Sequence, residues 1–451
     1  CIRRPLCKNI SQRIGNPDGS GRPEQLQINR NRERSRKMVK AAVMGYGTIG
    51  SGVVEVLTEN REQVAKAAGQ EIEVKYILDL RDFPDSPVAD KIVHDFKRIE
   101  EDEEIRLVVE TMGGLNPAYP FVKACLLAGK HVATSNKALV AAYGTELLEI
   151  ARKNHVNFFF EASVGGGIPI VRPLYRCLKG EQIQEITGIL NGTTNYILTK
   201  MEREGASFET VLKEAQNLGY AERNPEADVE GHDTCRKIAI LTAMATGRQV
   251  NYEEIYTEGI TGITEADFKY AQKMEASIKL FGTSRILGDG RVSAYVAPVM
   301  VGKSHPLYPV SDVFNGILVR GNMVGDTMFY GSGAGKLPTA SAVVADLIEA
   351  AQNLDQNVDM GWGDEKQEIL PMEQASFRYF LRLAGSHRNK EQDVQMCFGQ
   401  TEVIELYGMD EFGILTRTLK EGEFRAACGR YESLEKEKGE YGIKQTIRAL
   451  M

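Results

Sequence analysis

Val39-Lys-Ala-Ala-Val-Met-Gly-Tyr-Gly-Thr-Ile-Gly50 decides the fold. Its first six residues read as a buried strand, and Val53, Val54, Val56, Leu57 and Val64 then recur at helical spacing. Between the two lie Gly45, Gly47 and Gly50, in the pattern G-x-G-x-x-G. The first glycine allows a tight turn, and the second lets a pyrophosphate approach the backbone. The third lets helix and strand pack closely, which leaves the phosphate on the positive helix end. With a strand before it and a helix after it, the motif reads as a dinucleotide site rather than an empty glycine-rich turn.

The chain on either side extends this pattern. Ile72–Asp79, Ile105–Thr111, His131–Ser135 and Val156–Glu161 read as further strands alternating with helices, with Pro117 in one helix's first turn and Gly129 past its end. This alternation predicts βαβ units and an α/β, Rossmann-type, doubly wound parallel sheet. Beyond Gly165 the texture changes. Helices over Asn195–Glu204, Ser207–Leu218 and from Asp233 precede a β-rich segment with a Gly288-Asp-Gly290 turn, an α+β unit. A polar stretch from Gln352 to Lys366 holds the single Trp and reads as a linker. After it, strands at Phe377–Leu383, Val403–Tyr407, Phe412–Thr416 and Ile443–Arg448 suggest a small ferredoxin-like βαββαβ unit. The expected domains are therefore 38–165 for the nucleotide, completed by a helix at about 336–351, and 166–335 for substrate and dimerisation. A linker over 352–373 and a carboxy-terminal unit over 374–451 follow.

At 451 residues, 42% hydrophobic and 26% charged, the chain has the composition of a soluble globular protein. No apolar run approaches the ~20 residues of a membrane helix. Seven cysteines without a CxxC pair, and six scattered histidines without HExxH, argue against zinc chemistry. Cys125, Cys177 and Cys235 read as buried free thiols of a reducing cytoplasm. Residues 1–37 carry ten Lys/Arg and three Asp/Glu, a local +7. With a formal total of −7 the remainder carries −14, a poor partner for nucleic acid. The basic leader is expected to be disordered and dispensable, with the working protein starting at Met38.

Three further features carry chemistry. Asp79, ending the second strand, could hold adenosine ribose hydroxyls as in NAD sites, whereas Arg81 could pair with the 2′-phosphate of NADP. Asp233 and Lys237 stand at i and i+4 on one helix face. As a surface ion pair that contact is worth only ~0.3–0.5 kcal/mol; beside a cofactor it would hold a catalytic lysine. A lysine titrating near ~10.4 is a poor acid–base group at neutral pH unless burial or a second cation lowers its pKa. Lys137, after Thr134-Ser-Asn136 at a strand end, could be that cation. Finally, Leu190-Asn-Gly-Thr-Thr-Asn195 reads as a helix cap or a polar ligand loop, and Gly331-Ser-Gly-Ala-Gly335 as a second glycine loop before an apolar helix.

Taken together, these stretches resemble homoserine dehydrogenase. Glu110-Thr-Met-Gly-Gly114, Glu161-Ala-Ser-Val-Gly-Gly-Gly-Ile-Pro169, Gly219-Tyr-Ala-Glu222 and Asp228-Val-Glu-Gly-His-Asp-Thr-Cys-Arg-Lys237 join the motifs above in family order. The resemblance implies NAD(P)-dependent interconversion of L-homoserine and L-aspartate 4-semialdehyde, in threonine, methionine and isoleucine biosynthesis, by a homodimer or homotetramer. It implies Lys237 and Lys137 as catalytic lysines, with Glu222, Asp233, Thr193 and Gly192 around the substrate. On the cofactor side it implies Gly45, Gly47, Thr48, Ile49, Gly50, Asp79, Arg81, Thr111, Lys137, Gly219 and Gly333. Glu161, Val164, Gly166 and Ile168 resemble the family's sodium site, where mostly backbone oxygens bind a hard cation. Many members end in an ACT regulatory domain with an Asp-, Pro- and Gly-rich loop. Ala384-Gly-Ser-His-Arg-Asn-Lys-Glu-Gln392 departs from that signature, so feedback by threonine is not expected from it. Two other readings compete. One is a related dehydrogenase acting on another small amino-acid substrate; the other is a nucleotide sensor, which would have no use for the Lys137, Glu222, Asp233 and Lys237 set.

Overall fold

The structure, a computed structural model, describes residues 38–440 and 442–451; the expectations for residues 1–37 lie outside them. The amino-terminal half is a parallel sheet of β1 (Met38–Met44), β2 (Glu71–Leu78), β3 (Ile92–Val93), β4 (Ile105–Glu110), β5 (His131–Thr134) and β6 (Phe158–Phe159). The strand order is β3-β2-β1-β4-β5-β6. Ala41–Met44 and Leu107–Val109 are wholly buried, because helices cover both faces and leave no solvent side for alternating polar residues. The order reverses between β1 and β4, which opens a crevice at their carboxyl ends. The helix Lys336–Gln352, remote in sequence, closes this half. It packs so tightly on the helix Thr48–Glu59 that a Cβ on Gly52 would lie 3.0 Å from Ala340.

The second half is built on a mixed sheet. Its strands are β7 (Ile183–Ile189), β8 (Tyr256–Thr257), β9 (Ala276–Ile286), β10 (Val292–Gly302), β11 (Phe314–Gly321) and β12 (Gly325–Ser332). They are joined by β13 (Ser376–Ala384), β14 (Thr401–Ile404), β15 (Glu411–Thr416), β16 (Leu419–Lys420) and β17 (Ile443–Leu450). The main path runs β12-β11-β7-β9-β10-β17-β13-β15-β14. The helix His232–Thr246 lies on β9, where Gly282 permits the approach: a Cβ there would sit 2.9 Å from Thr234 Cγ2 and 3.2 Å from Ile238 Cβ.

Three sequence expectations are modified. Residues 376–450 follow the β-α-β-β-α-β order, but their strands are no separate sheet: β17 pairs in parallel with β10, Val299 opposite Arg448, so the sheet runs on from the rest of the second half. Periodicity is blind to such a pairing. The polar stretch before this unit is docked on the amino-terminal half. Trp362 donates to Thr145 Oγ1 at 3.0 Å and lies over Gly144, where a Cβ would be 3.0 Å from its ring. Cys125 and Cys235 are buried as expected, but Cys177 is exposed, at the end of a π-helical turn (Pro173–Cys177) that holds it outside the core.

Candidate active site

The glycine turn has the geometry its spacing predicts. Gly45 adopts a left-handed φ of +95°. A Cβ on Gly50 would fall 1.8 Å from the Gly45 carbonyl oxygen, so only glycine lets the helix start there. A Cβ on Gly47 would meet nothing within 4 Å: the space beside the helix start is open to a phosphate. Thr48 and Ile49 form the first turn of the helix Thr48–Glu59, which has no acidic residue to compete for its N–H groups. Thr111 Oγ1 donates to the carbonyls of Met44 and Gly45 and so ties the end of β4 to the turn. The residues therefore fit a dinucleotide.

Asp79 follows β2 directly, and its carboxylate is fully engaged. Oδ2 accepts from Tyr46 N–H at 2.8 Å and Arg81 Nη2 at 3.0 Å; Oδ1 accepts from Arg81 N–H at 3.0 Å and Nε at 2.9 Å. The Arg81 guanidinium holds this carboxyl well below the usual carboxylate range. Arg81 itself is 62% exposed and rests over the Phe83 ring, 5.0 Å from its centroid.

Where the two halves meet lies an arrangement of five side chains from four elements. Asp233, in the first turn of the helix His232–Thr246, is 3% exposed. Its Oδ2 lies 2.7 Å from Lys237 Nζ, one turn on, and its Oδ1 lies 2.7 Å from Lys137 Nζ. Lys137 begins the helix Lys137–Lys153 that follows β5, so the contact joins the amino-terminal half to the second half. Asn191, the cap of the helix Gly192–Glu204, donates to Asp233 Oδ2 at 2.9 Å and to Asp228 Oδ1 at 2.8 Å. Lys237 Nζ also donates to the Leu190 carbonyl at 2.7 Å. Burial pushes Asp233 upward, but the two ammonium groups outweigh it and hold the carboxyl below its ordinary range. Burial, with Lys137 as a second cation, lowers Lys237 against the pull of Asp233; Asp233 raises Lys137. The surface-pair reading is excluded, since Lys237 is only 10% exposed.

The other expected residues are placed as follows. Thr193 Oγ1 donates to the Tyr220 carbonyl at 2.6 Å, drawing the 219–222 turn against the start of its helix. Gly192 is required there, because a Cβ would lie 2.7 Å from the Val313 carbonyl oxygen. Gly219 has a left-handed φ of +76°. Glu222 is exposed, and the structure gives its carboxylate no contact with either lysine. Gly333 packs on Gly166 and Asn315: a Cβ on Gly166 would lie 2.4 Å from the Gly333 carbonyl oxygen, and one on Gly333 1.9 Å from Asn315 Nδ2. Glu161, Val164, Gly166 and Ile168 are buried together, but the Glu161 carboxylate accepts the N–H groups of Ile170, Val171 and Arg172 at 2.6, 2.8 and 2.7 Å. A cation here would have only main-chain oxygens. Among the described residues no group of three or more His, Cys, Asp or Glu side chains is placed to hold a metal.

Sequence reading gave no role to Asp228 or Asn191 individually, nor to Glu110. Glu110 is wholly buried at the end of β4, where it accepts Met112 N–H at 2.8 Å and Thr134 Oγ1 at 2.6 Å. Thr134 Oγ1 in turn accepts Asn136 N–H at 2.9 Å, and Asn136 caps the helix that begins with Lys137. The buried glutamate thus fixes the strand ends from which that lysine projects. Among the described residues, burial pushes the Cys125 thiol up to about 12 and raises Cys235 as well, which disfavours either as a nucleophile.

A dinucleotide turn in the same chain as two lysines on a shared carboxylate is the pattern of a nicotinamide-dependent dehydrogenase. A family model described as homoserine dehydrogenase matches residues 169–348, and one described as its NAD binding domain matches residues 45–161. Homoserine dehydrogenase of Synechocystis sp. is 38% identical, over 91% of this chain and 99% of that one. The Neisseria gonorrhoeae enzyme is 39% identical, over 85% and 91%. The crystal structure of a homoserine dehydrogenase from Thiobacillus denitrificans superposes with a TM-score of 0.84 at 34% identity, covering 92% of this chain and 98% of that one. A hyperthermophilic archaeal homoserine dehydrogenase in complex with NADPH gives 0.60 at 28% identity, covering 69% and 97%. The chain belongs to the homoserine dehydrogenase family, NAD(P)-dependent oxidoreductases that interconvert L-homoserine and L-aspartate 4-semialdehyde.

Proposed function

We propose that Lys237 is the proton donor to the aldehyde oxygen of L-aspartate 4-semialdehyde, and the acceptor in the reverse direction. When bound, the reduced nicotinamide supplies the hydride. The observation that carries this reading is Lys237 itself: a nearly buried ammonium that donates to the Leu190 carbonyl and pairs with Asp233 at 2.7 Å, with donor capacity beyond its one hydrogen bond. A lowered pKa makes its ammonium the better acid. Lys137 lowers Lys237 electrostatically and faces the nicotinamide side of the cleft. Asp233 pairs with both lysines and accepts from Asn191, so its task is to hold them. Asp228, with one oxygen uncommitted, and Glu222, in the turn held by Thr193, take the substrate's α-ammonium. The test is NAD(P)H absorbance with L-homoserine: Lys237→Ala should lose turnover while still binding NADPH, and near-normal turnover would reject the assignment.

Arg81 is the side chain we assign to the 2′-phosphate of NADP, since Asp79 has no acceptor left for ribose hydroxyls while Arg81 is turned to solvent. A sodium ion, if bound, would have to be held by the backbone oxygens of Glu161, Val164, Gly166 and Ile168, and no step passes through it. Self-association as a homodimer or homotetramer would use the β11–β12 edge, where Met323, Val324, Met328, Tyr330 and Phe314 are exposed together. The carboxy-terminal unit serves as a continuation of the sheet rather than as an ACT-type effector site, because only Gly385 and Ser386 separate β13 from the helix His387–Phe398. No described helix is long and apolar enough to cross a membrane, and we place the enzyme in the cytoplasm.

A further inference from the structure

The cap residue Asn191 does more than a cap requires. A helix cap needs only an acceptor, which Ser, Thr or Asp supplies as well as Asn. Asn191 Oδ1 provides it, accepting Thr194 N–H at 2.9 Å. Its amide nitrogen, unnecessary for capping, gives one hydrogen to Asp228 Oδ1 at 2.8 Å and the other to Asp233 Oδ2 at 2.9 Å. The orientation of the amide is therefore fixed by its partners on both sides. The two carboxylates come from different elements, Glu226–Val229 and His232–Thr246, and would repel one another across the gap that this nitrogen fills.

We propose that Asn191 is a positioning residue for the reaction: its amide nitrogen holds Asp228 and Asp233 side by side, so that the acceptor for the substrate's ammonium keeps a constant spacing from the lysines. Leu190, the residue before it, presents its carbonyl to Lys237 at 2.7 Å. Two consecutive residues at the exit of β7 thus set three charged groups: Lys237, Asp233 and Asp228. Burial raises Asp228 and Asp233 raises it further, an effect the Asn191 hydrogen bond counteracts; without that bond Asp228 would protonate more readily and lose its charge toward an ammonium. The proposal rests on the reading of Lys237 and Asp228 given above.

The test compares Asn191→Asp and Asn191→Ser with the unaltered enzyme. Both keep an acceptor for Thr194, and neither can donate to both carboxylates. Hydrogen bonds to charged groups are worth roughly 1.5–3 kcal/mol, which corresponds to about a ten- to hundredfold change. We expect kcat/KM for L-homoserine to fall by that factor in both variants, with KM for L-homoserine rising and KM for NADP unchanged. In Asn191→Asp the added carboxylate raises the pKa of Lys237, so the rising limb of the kcat profile for homoserine oxidation moves to higher pH. Thermal midpoint and NADPH fluorescence on binding should stay near those of the unaltered enzyme. Unaltered KM and pH profile in either variant would overturn the proposal. So would loss of folding or NADPH binding in both, which would make Asn191 purely structural. The KM effect depends on the spacing of Asp228 and Asp233, and the pH effect on Lys237. In Asn191→Asp, a change in KM without movement of the profile would therefore indict the lysine assignment instead.

Discussion

Lys137 and Asp233 meet at 2.7 Å across the two halves of the molecule, one at the start of the helix after β5 and the other on the helix packed against β9. The contact is an electrostatic link between the two halves. It also bears on Lys237, whose pKa is lowered first by burial and then by this second ammonium, against the pull of Asp233.

Replacing Lys137 by Gln should therefore raise the pKa of Lys237. With Lys237 as the proposed proton acceptor, homoserine oxidation needs it neutral, so the rising limb of kcat against pH should move to higher pH, and kcat at neutral pH should fall by roughly 10²-fold, within the usual range for acid–base groups. A pH–rate series on the purified variant checks this. A profile that keeps its position would separate the two lysines functionally.

The clasp between Asp79 and Arg81 predicts a change in nucleotide preference. Arg81→Ala removes the cation facing a 2′-phosphate and frees the Asp79 carboxylate for ribose hydroxyls. KM for NADPH should rise about tenfold, the worth of a charge-assisted contact, while KM for NADH falls. Steady-state kinetics with each nucleotide measure it.

Gly333 and Asn315 form a steric pair. A Cβ on Gly333 would fall 1.9 Å from Asn315 Nδ2, so Gly333→Ala should disorder the glycine loop and cost about 1–3 kcal/mol, as overpacking does. Because the obstruction is a side chain, combining it with Asn315→Ala should recover part of that stability. Urea denaturation of the two single variants and the double variant supplies the cycle.

His131 gives the fold a specific acid sensitivity. It is wholly buried in β5, its Nε2 against the Leu354 carbonyl, its Nδ1 accepting Asn157 N–H, and burial lowers it to about 4. A histidine depressed in the folded state stabilises the protein above its unfolded pKa of ~6.5, and that contribution is lost as pH falls toward 4. The loss should reach about 3 kcal/mol. Thermal midpoints between pH 7 and 4 should drop less steeply in His131→Gln than in the unaltered protein.

At the β11–β12 edge, Met323 is 82% and Tyr330 56% exposed. Tyr330→Lys should shift the enzyme toward monomer in light-scattering measurements. An unaltered mass would place the interface elsewhere.

How much of this could be read from the chain follows from the range of each interaction. The glycine turn is legible because each of its requirements acts within six residues: Gly45's positive φ, Gly47's open flank and Gly50's contact with the Gly45 carbonyl. Asp233 and Lys237 are legible for the same reason, since helical geometry places i and i+4 together. Glu222 had only the family resemblance to recommend it, since neither its spacing nor its exposed position marks it.

The sequence by itself determined the alternation of strands and helices, the nucleotide turn and one ion pair, because these depend on neighbours along the chain. Only the tertiary structure decided that Lys137 would share Asp233 with Lys237, that Asn191 would bridge two carboxylates, and that β17 would join β10. Each of those contacts closes over dozens of residues or more, between groups whose spacing in the chain carries no period. It is the packing of helices on the two sheets that brings them within reach.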